Sequence, residues 1–508
     1  MASPKLLSGG FSHIINGKAY DAKDAKTLDV INPATEKAIA SVPIATRKVL
    51  DEAVDHAHEA FKSWSKTTWQ DRAKMIQAVG EEYKTMIDDL TALLVLEQGK
   101  ATAFANGEVS MVTEWFEKVP KMEIKEKVAF ENDKERAIEQ YVPLGVTAGI
   151  VPWNFPVLLM IWKIIPAVLT GNVIIIKPSP FTPLCDVRAV ELFNRHLPPG
   201  VVQIILGDDD LGPWITEHPK IRKISFTGST ATGRLVARSC AATLKRYTLE
   251  LGGNDACIVL PDVDVDSVAP GILLTAFFNS GQVCHAAKRI YVHEDVYDKL
   301  SQALVKAAKE AGVGPGQNEG VQFGPLNNRM VYEKVSGFFA DSQKNNHDFL
   351  IGGKIPEGPG FFAPLTLVNN PPEDSRLVRE EPFGPIVPLL KWKDDADLIA
   401  RVNDSDWGLG ATIFGKDLPR VEKLARQVEA GVVWTNTSMQ QHPVSPFAKS
   451  LSPLSLKLHD RKFHSAASKE AVLDARMARP VLRAGVKCAA YTWPNRRLSF
   501  RPRLQNNL

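Results

Sequence analysis

Cysteine is scarce in this chain, with five among 508 residues: Cys185, Cys240, Cys257, Cys284 and Cys488. The number is odd, and no C-x-x-C pair or Cys/His spacing suits a zinc site. A disulfide framework and a structural metal are therefore not expected. Long apolar runs are also missing. The longest, VLLMIWKIIPAVL at 157–169, is broken by Lys163 and Pro166. It falls short of the roughly 20 apolar residues that span a bilayer. The start, MASPKLLSGGFSHIINGK, carries no apolar secretion core and no arginine-rich stretch. These absences lead us to expect a soluble, cytoplasmic protein in a reducing compartment. Charge of one sign is not in excess either: 61 basic residues face 58 acidic ones, so no nucleic-acid or membrane partner is expected.

What is present is ordinary globular composition, 44% apolar and 23% charged, in a chain long enough for about three domains of roughly 150 residues. No internal repeat of 20–50 residues is visible. The even charge balance hides an asymmetry. Residues 448–508 hold five Lys and eight Arg against two Asp and one Glu, whereas the rest of the chain is net acidic.

Periodicity divides the chain. Residues 28–45 read as short strands around N-P-A-T-E. Residues 46–118 read as helices, with Val49, Ala53, Ala57, Ala60 and Phe61 at helical spacing. Residues 120–148 alternate as a hairpin would. From 146, strands and helices alternate: GVTAGIV, a helix at 156–169, NVIIIK, a helix near 183–196, VVQIIL, a helix at 209–218, IRKISFTG, a helix at 230–243, then YTLEL. Such alternation predicts a doubly wound parallel sheet, which binds nucleotides at the carboxyl ends of its strands. A second α/β region spans 253–447, with strands at RIYVHE, APLTLV, IVPLLKW, ATIFG and GVVWTN and helices at 294–311 and 417–428.

Six short motifs could carry chemistry. In N-S-G-Q-V-C-H (279–285), Cys284 follows the apolar stretch ILLTAFF. A free thiol near pKa 8.5 needs help to become a nucleophile, and a buried structural cysteine is the plainer alternative. In L-E-L-G-G-N (249–254), Glu250 ends a strand before two glycines. That position suits a general base, or an ordinary surface turn. F-T-G-S-T-A-T-G (226–233) turns from strand to helix at Gly228 and Ser229. It could hold a pyrophosphate, or only cap the helix. V-P-W-N-F-P (151–156) fixes Asn154 between prolines, so its amide could serve an oxyanion. Lys177 ends a strand in I-I-K-P-S-P-F-T-P (175–183), within reach of ribose or phosphate. E-E-P-F-G-P (380–385) holds Glu381 and Phe383 on a rigid loop that suits a cofactor ring.

Taken together, in this order and spacing, the six motifs closely resemble the aldehyde dehydrogenase superfamily, from N-P-A-T-E at 32–36 to S-P-F at 445–447. The resemblance implies a doubly wound NAD(P)-binding domain (1–124 and 144–252), an oligomerisation hairpin (125–143) and an α/β catalytic domain (253–447). Residues 448–508, an atypical basic tail with disorder as one expectation, lie outside this resemblance. It implies Cys284 as nucleophile, Asn154 and the Cys284 N–H as oxyanion donors, Glu250 as base for the hydrolytic water, and Lys163 as an aid to proton transfer. Lys177 and Glu381 would hold the two riboses, Phe383 would pack near the nicotinamide ribose, and Trp153, Gly228 and Ser229 would belong to the cofactor cleft. Phe155, Leu158, Leu159, Trp162 and Phe278 match an aldehyde tunnel. All are apolar, which favours an aliphatic or aromatic aldehyde over a charged semialdehyde. The presence of Glu250 favours hydrolysis to the free acid over acyl transfer to coenzyme A. Pro180 stands where many NAD-preferring relatives carry a glutamate, so NAD is expected with NADP possible. A homodimer or homotetramer is expected for the family.

The sequence departs from the family after Phe447, where A-K-S-L-S-P-L-S-L-K-L-H-D-R-K replaces the expected glycine-rich continuation and final strand. Residues 466–478 could form a helix. The composition jump points to a shifted reading frame or a retained intron. Loss of the final strand would compromise assembly and expose a sheet edge. The alternative to an active enzyme is a folded dinucleotide-binding homologue with impaired catalysis.

Overall fold

The computed structural model describes residues 5–20 and 26–443, together with the backbone at 478–483 and 500–502. Two seven-stranded sheets dominate it. In the first, the strands Arg246–Glu250, Ile221–Thr227, Val146–Ile150, Val173–Lys177 and Val202–Ile204 lie side by side in parallel. His13–Ile15 and Lys18–Tyr20 extend this sheet antiparallel. Val173, Ile174, Ile175 and Ile176 are fully buried, as expected for a strand with helices on both faces. The helix Pro156–Leu169 buries nearly every side chain against this sheet. Pro156 sits in its first turn, where no N–H is needed.

The second sheet runs Asp348–Ile351, Thr366–Asn369, Ile386–Trp392, Ala287–His293, Asp255–Val259, Gly410–Phe414 and Val432–Thr435. It is parallel except for its first strand. All the strands read from the sequence are present. The sequence reading does not single out Asp255–Val259, an interior strand of this sheet, nor the edge strand Asp348–Ile351.

A third sheet is built on the hairpin Lys127–Glu131 and Glu135–Pro143. Its long strand pairs on the other edge with Ala478–Arg483 and Phe500–Pro502, both antiparallel. Part of the basic tail is therefore extended sheet. The free edge of Glu135–Pro143 thus carries two strands of the tail, where the sequence reading leaves an exposed edge. The helix expected at 466–478 lies outside the described residues except for Ala478, which begins a strand. Among the described residues, no helix is long and apolar enough to cross a membrane.

Candidate active site

A cavity of about 1580 Å³ opens between the carboxyl ends of the first sheet and the second domain, and all fifteen residues singled out from the sequence line it. Four segments bring them there.

The first is the turn after Val146–Ile150. Its polypeptide is held by a buried pair beneath it, Lys100 and Glu108, whose side chains have no solvent exposure. Lys100 Nζ donates to the Asn154 carbonyl at 2.8 Å and sits 4.0 Å from the centre of the Phe155 ring. Glu108 accepts the Leu158 N–H, at 3.2 Å, at the start of the next helix. Asn154 is buried. One of its amide protons goes to the Gln282 carbonyl at 2.9 Å, which leaves the second for a ligand oxygen.

The second segment carries Cys284. The helix Val265–Phe277 ends in a turn where Asn279, Ser280 and Gly281 take φ values of 50°, 57° and 75° in succession. Three left-handed residues in a row store strain, and packing must hold them. Ser280 Oγ donates to the Gly324 carbonyl, and the Asn279 amide to the Asn154 carbonyl. Gly281 is required because a side chain there would collide with the Gly384 carbonyl. The Cys284 thiol lies 3.3 Å from His285 Nδ1, and the Cys284 carbonyl accepts from Lys288 Nζ at 2.6 Å. Burial pushes the thiol up to about 12. Lys288 works against this, while Asp255, Glu381 and Glu250 add to it.

The third segment is the strand pair ending in Thr227 and Glu250, which are neighbours in register. The Gly228 N–H donates to the Glu250 carbonyl at 3.0 Å, and Lys163 Nζ donates to Thr227 Oγ1 at 2.7 Å. The half-buried Glu250 carboxylate and the buried Lys163 ammonium thus belong to one corner. Ser229 caps the helix Thr230–Ala242 by accepting from the Thr232 N–H.

The fourth is the loop at 380–385. Glu381 is paired with Lys288 at 3.1 Å and accepts the Gly253 N–H at 3.1 Å. Phe383 takes φ 57° and meets Trp153 edge-on at 5.5 Å between ring centres.

The aldehyde dehydrogenase family model matches residues 20–448. The chain belongs to this family. The succinate-semialdehyde dehydrogenase [NADP(+)] of Escherichia coli is 37% identical over 440 residues, covering 85% of this chain and 91% of the relative. The aldehyde dehydrogenase LUC3 of a Fusarium species is 36% identical over 439 residues, covering 86% and 92%. Among solved structures, an NAD+ complex of an aldehyde dehydrogenase from Bacillus cereus superposes with a TM-score of 0.86 at 31% identity, covering 89% and 94%.

In this family member the cavity residues suit a dinucleotide. Lys177 is buried at the end of its strand, and its ammonium donates a long hydrogen bond, 3.4 Å, to the Pro178 carbonyl. Burial lowers it to about 8, against the pull of Asp209 and Asp208. A poorly satisfied buried ammonium, a capped helix start and a carboxylate offer donors and acceptors for phosphate and ribose hydroxyls.

On the opposite side, Phe155 stacks on Phe278 at 5.9 Å, and Trp162 on Trp115 at 4.8 Å. Leu158, Leu159 and Met111 join them in the wall. Sequence reasoning missed Trp115, Met111, Lys100, Glu108, Lys288 and His285. The first four come from helices and turns far from any motif. His285 and Lys288 follow Cys284 directly, and their chemistry was visible as a histidine and a lysine within five residues of the thiol.

Proposed function

We propose that this enzyme oxidises an uncharged aliphatic or aromatic aldehyde to its carboxylic acid, using NAD or NADP. The observation that carries this reading is one cavity with Cys284, Asn154 and Glu250 beside an apolar wall, and Lys177, Glu381 and Phe383 beyond them.

Cys284 Sγ loses its proton to solvent and adds, as thiolate, to the carbonyl carbon. The carbonyl oxygen becomes an oxyanion and is held by the Asn154 amide and the Cys284 N–H. Bound NAD(P) supplies the acceptor for the hydride that leaves this adduct. The acyl group then remains on Cys284 as a thioester. Glu250 takes a proton from water, the hydroxide adds to the acyl carbon, and the thiolate departs with the acid released. Lys163, through Thr227, supports the corner where that proton is held. Lys177 and Glu381 orient the dinucleotide, and Phe383 with Trp153 walls off the reacting centre from solvent.

The wall supports an uncharged substrate. Phe155, Leu158, Leu159, Trp162, Phe278, Trp115 and Met111 offer no cation to a substrate carboxylate. Lys163 shares a helix with several of them, but its ammonium is bonded to Thr227. The family includes enzymes named for succinate semialdehyde, so the distinction is testable. Purified enzyme is assayed at 340 nm with hexanal, benzaldehyde and succinate semialdehyde, beside Cys284→Ala. The reading requires NADH or NADPH from the first two substrates, at least about tenfold less kcat/KM for the third, and none from the variant. A preference for succinate semialdehyde would refute the substrate class, and an active Cys284→Ala would refute the mechanism.

A further inference from the structure

His285 Nδ1 lies 3.3 Å from the Cys284 sulfur, within hydrogen-bond distance. Its other ring nitrogen, Nε2, lies 3.1 Å from the Gln441 amide nitrogen. The ring also packs against Trp434 at 5.8 Å between centres. An amide nitrogen only donates, so Nε2 accepts from Gln441. A neutral imidazole has one ring proton, and here that proton falls on Nδ1, facing the sulfur. The imidazole is thus oriented from both ends.

Building on the reading of Cys284 as nucleophile, we propose that His285 is a positioning residue: its Nδ1–H donates to the Cys284 sulfur, fixes the thiol rotamer and stabilises the attacking thiolate. The ring stays neutral in the working range, because burial and the nearby Lys288 lower it to about 3. It therefore acts as a hydrogen-bond donor and not as a titrating base. Cys284 needs such a donor. The charged groups around it are Lys288 on one side and Asp255, Glu381 and Glu250 on the other, so three carboxylates oppose the thiolate and one ammonium favours it. A neutral donor adds stabilisation without altering the charge that Glu381 and Glu250 experience.

The test is the rate at which iodoacetamide alkylates Cys284 in the full chain without cofactor, followed from pH 6.5 to 9.5 by peptide mass spectrometry. Two variants separate donor from packing. His285→Asn returns an N–H close to the Nδ1 position, whereas His285→Phe keeps the ring and removes the donor. We expect His285→Phe to react about tenfold more slowly at pH 8, with its rise displaced upward by about one unit, as losing a hydrogen bond to an anion predicts. His285→Asn should run within about threefold of wild type. A His285→Phe profile that overlays wild type would overturn the proposal. An equal loss in both variants would overturn it too, by tracing the effect to ring packing. Alkylation needs no aldehyde or NAD(P). A wild type that forms no NADH would defeat the proposed oxidation and leave this contact to be judged by its own data.

Discussion

Cys284, the proposed nucleophile, sits where burial and three carboxylates raise its thiol. The proposed base, Glu250, is equally open to test. Glu250→Gln retains size and hydrogen bonding but cannot take a proton. Its reaction should release about one NADH per site in a burst and then turn over at least about a hundredfold more slowly, read by stopped flow. Lys177 gives a pH-dependent expectation. With its value lowered to about 8, the side chain is cationic below pH 8 and neutral above it. If it lies beside the adenosine ribose, attraction to a 2′-phosphate fades as pH rises through 8. KM for NADP should then climb up to about tenfold between pH 7 and 9, while KM for NAD changes much less. Both residues were legible in the sequence because strand-end motifs name them. Gln441 was not, because its importance comes only from where the fold brings it: 156 residues beyond His285, against the same ring.

At the scale of elements, the turn bearing Asn154 and Phe155 is held from beneath by Lys100 and Glu108. Removing one member of a wholly buried pair leaves an uncompensated charge. Lys100→Met should cost about 3–5 kcal/mol in urea unfolding. Lys100→Met combined with Glu108→Leu should recover much of that stability, while activity stays low because the Asn154 carbonyl keeps only the Asn279 amide and the Leu158 N–H loses the Glu108 carboxylate. Neither residue belongs to a motif, and a lysine and a glutamate on helical stretches read as surface charge. The strand Asp255–Val259 escaped for a related reason. It is five residues long and opens on a buried aspartate that burial raises to about 8, so a polar start masked an interior strand. By contrast, the β-branched run Val173–Lys177 and the helix starting at Pro156 were plain, because composition and period agreed with their final environment.

For the whole molecule, two parallel sheets meet so that residues from 153 to 383 line one space. That order was readable because each motif sits at a strand end or turn, where a doubly wound sheet gathers its ligands. The tail was the least readable part, since its basic composition showed no period. The strands Ala478–Arg483 and Phe500–Pro502 cover one edge of Glu135–Pro143. Deleting residues 478–508 should uncover that edge and promote association, visible as increased light scattering on concentration.

In the proposed mechanism the aldehyde becomes covalently attached to Cys284 before water enters. Intact mass spectrometry of Glu250→Gln, quenched in acid after mixing with benzaldehyde and NAD, tests it most directly. We expect a gain of one benzoyl group per chain, mapped to the peptide containing Cys284 and absent when Cys284→Ala is added. An unmodified protein that has nonetheless produced NADH would contradict it.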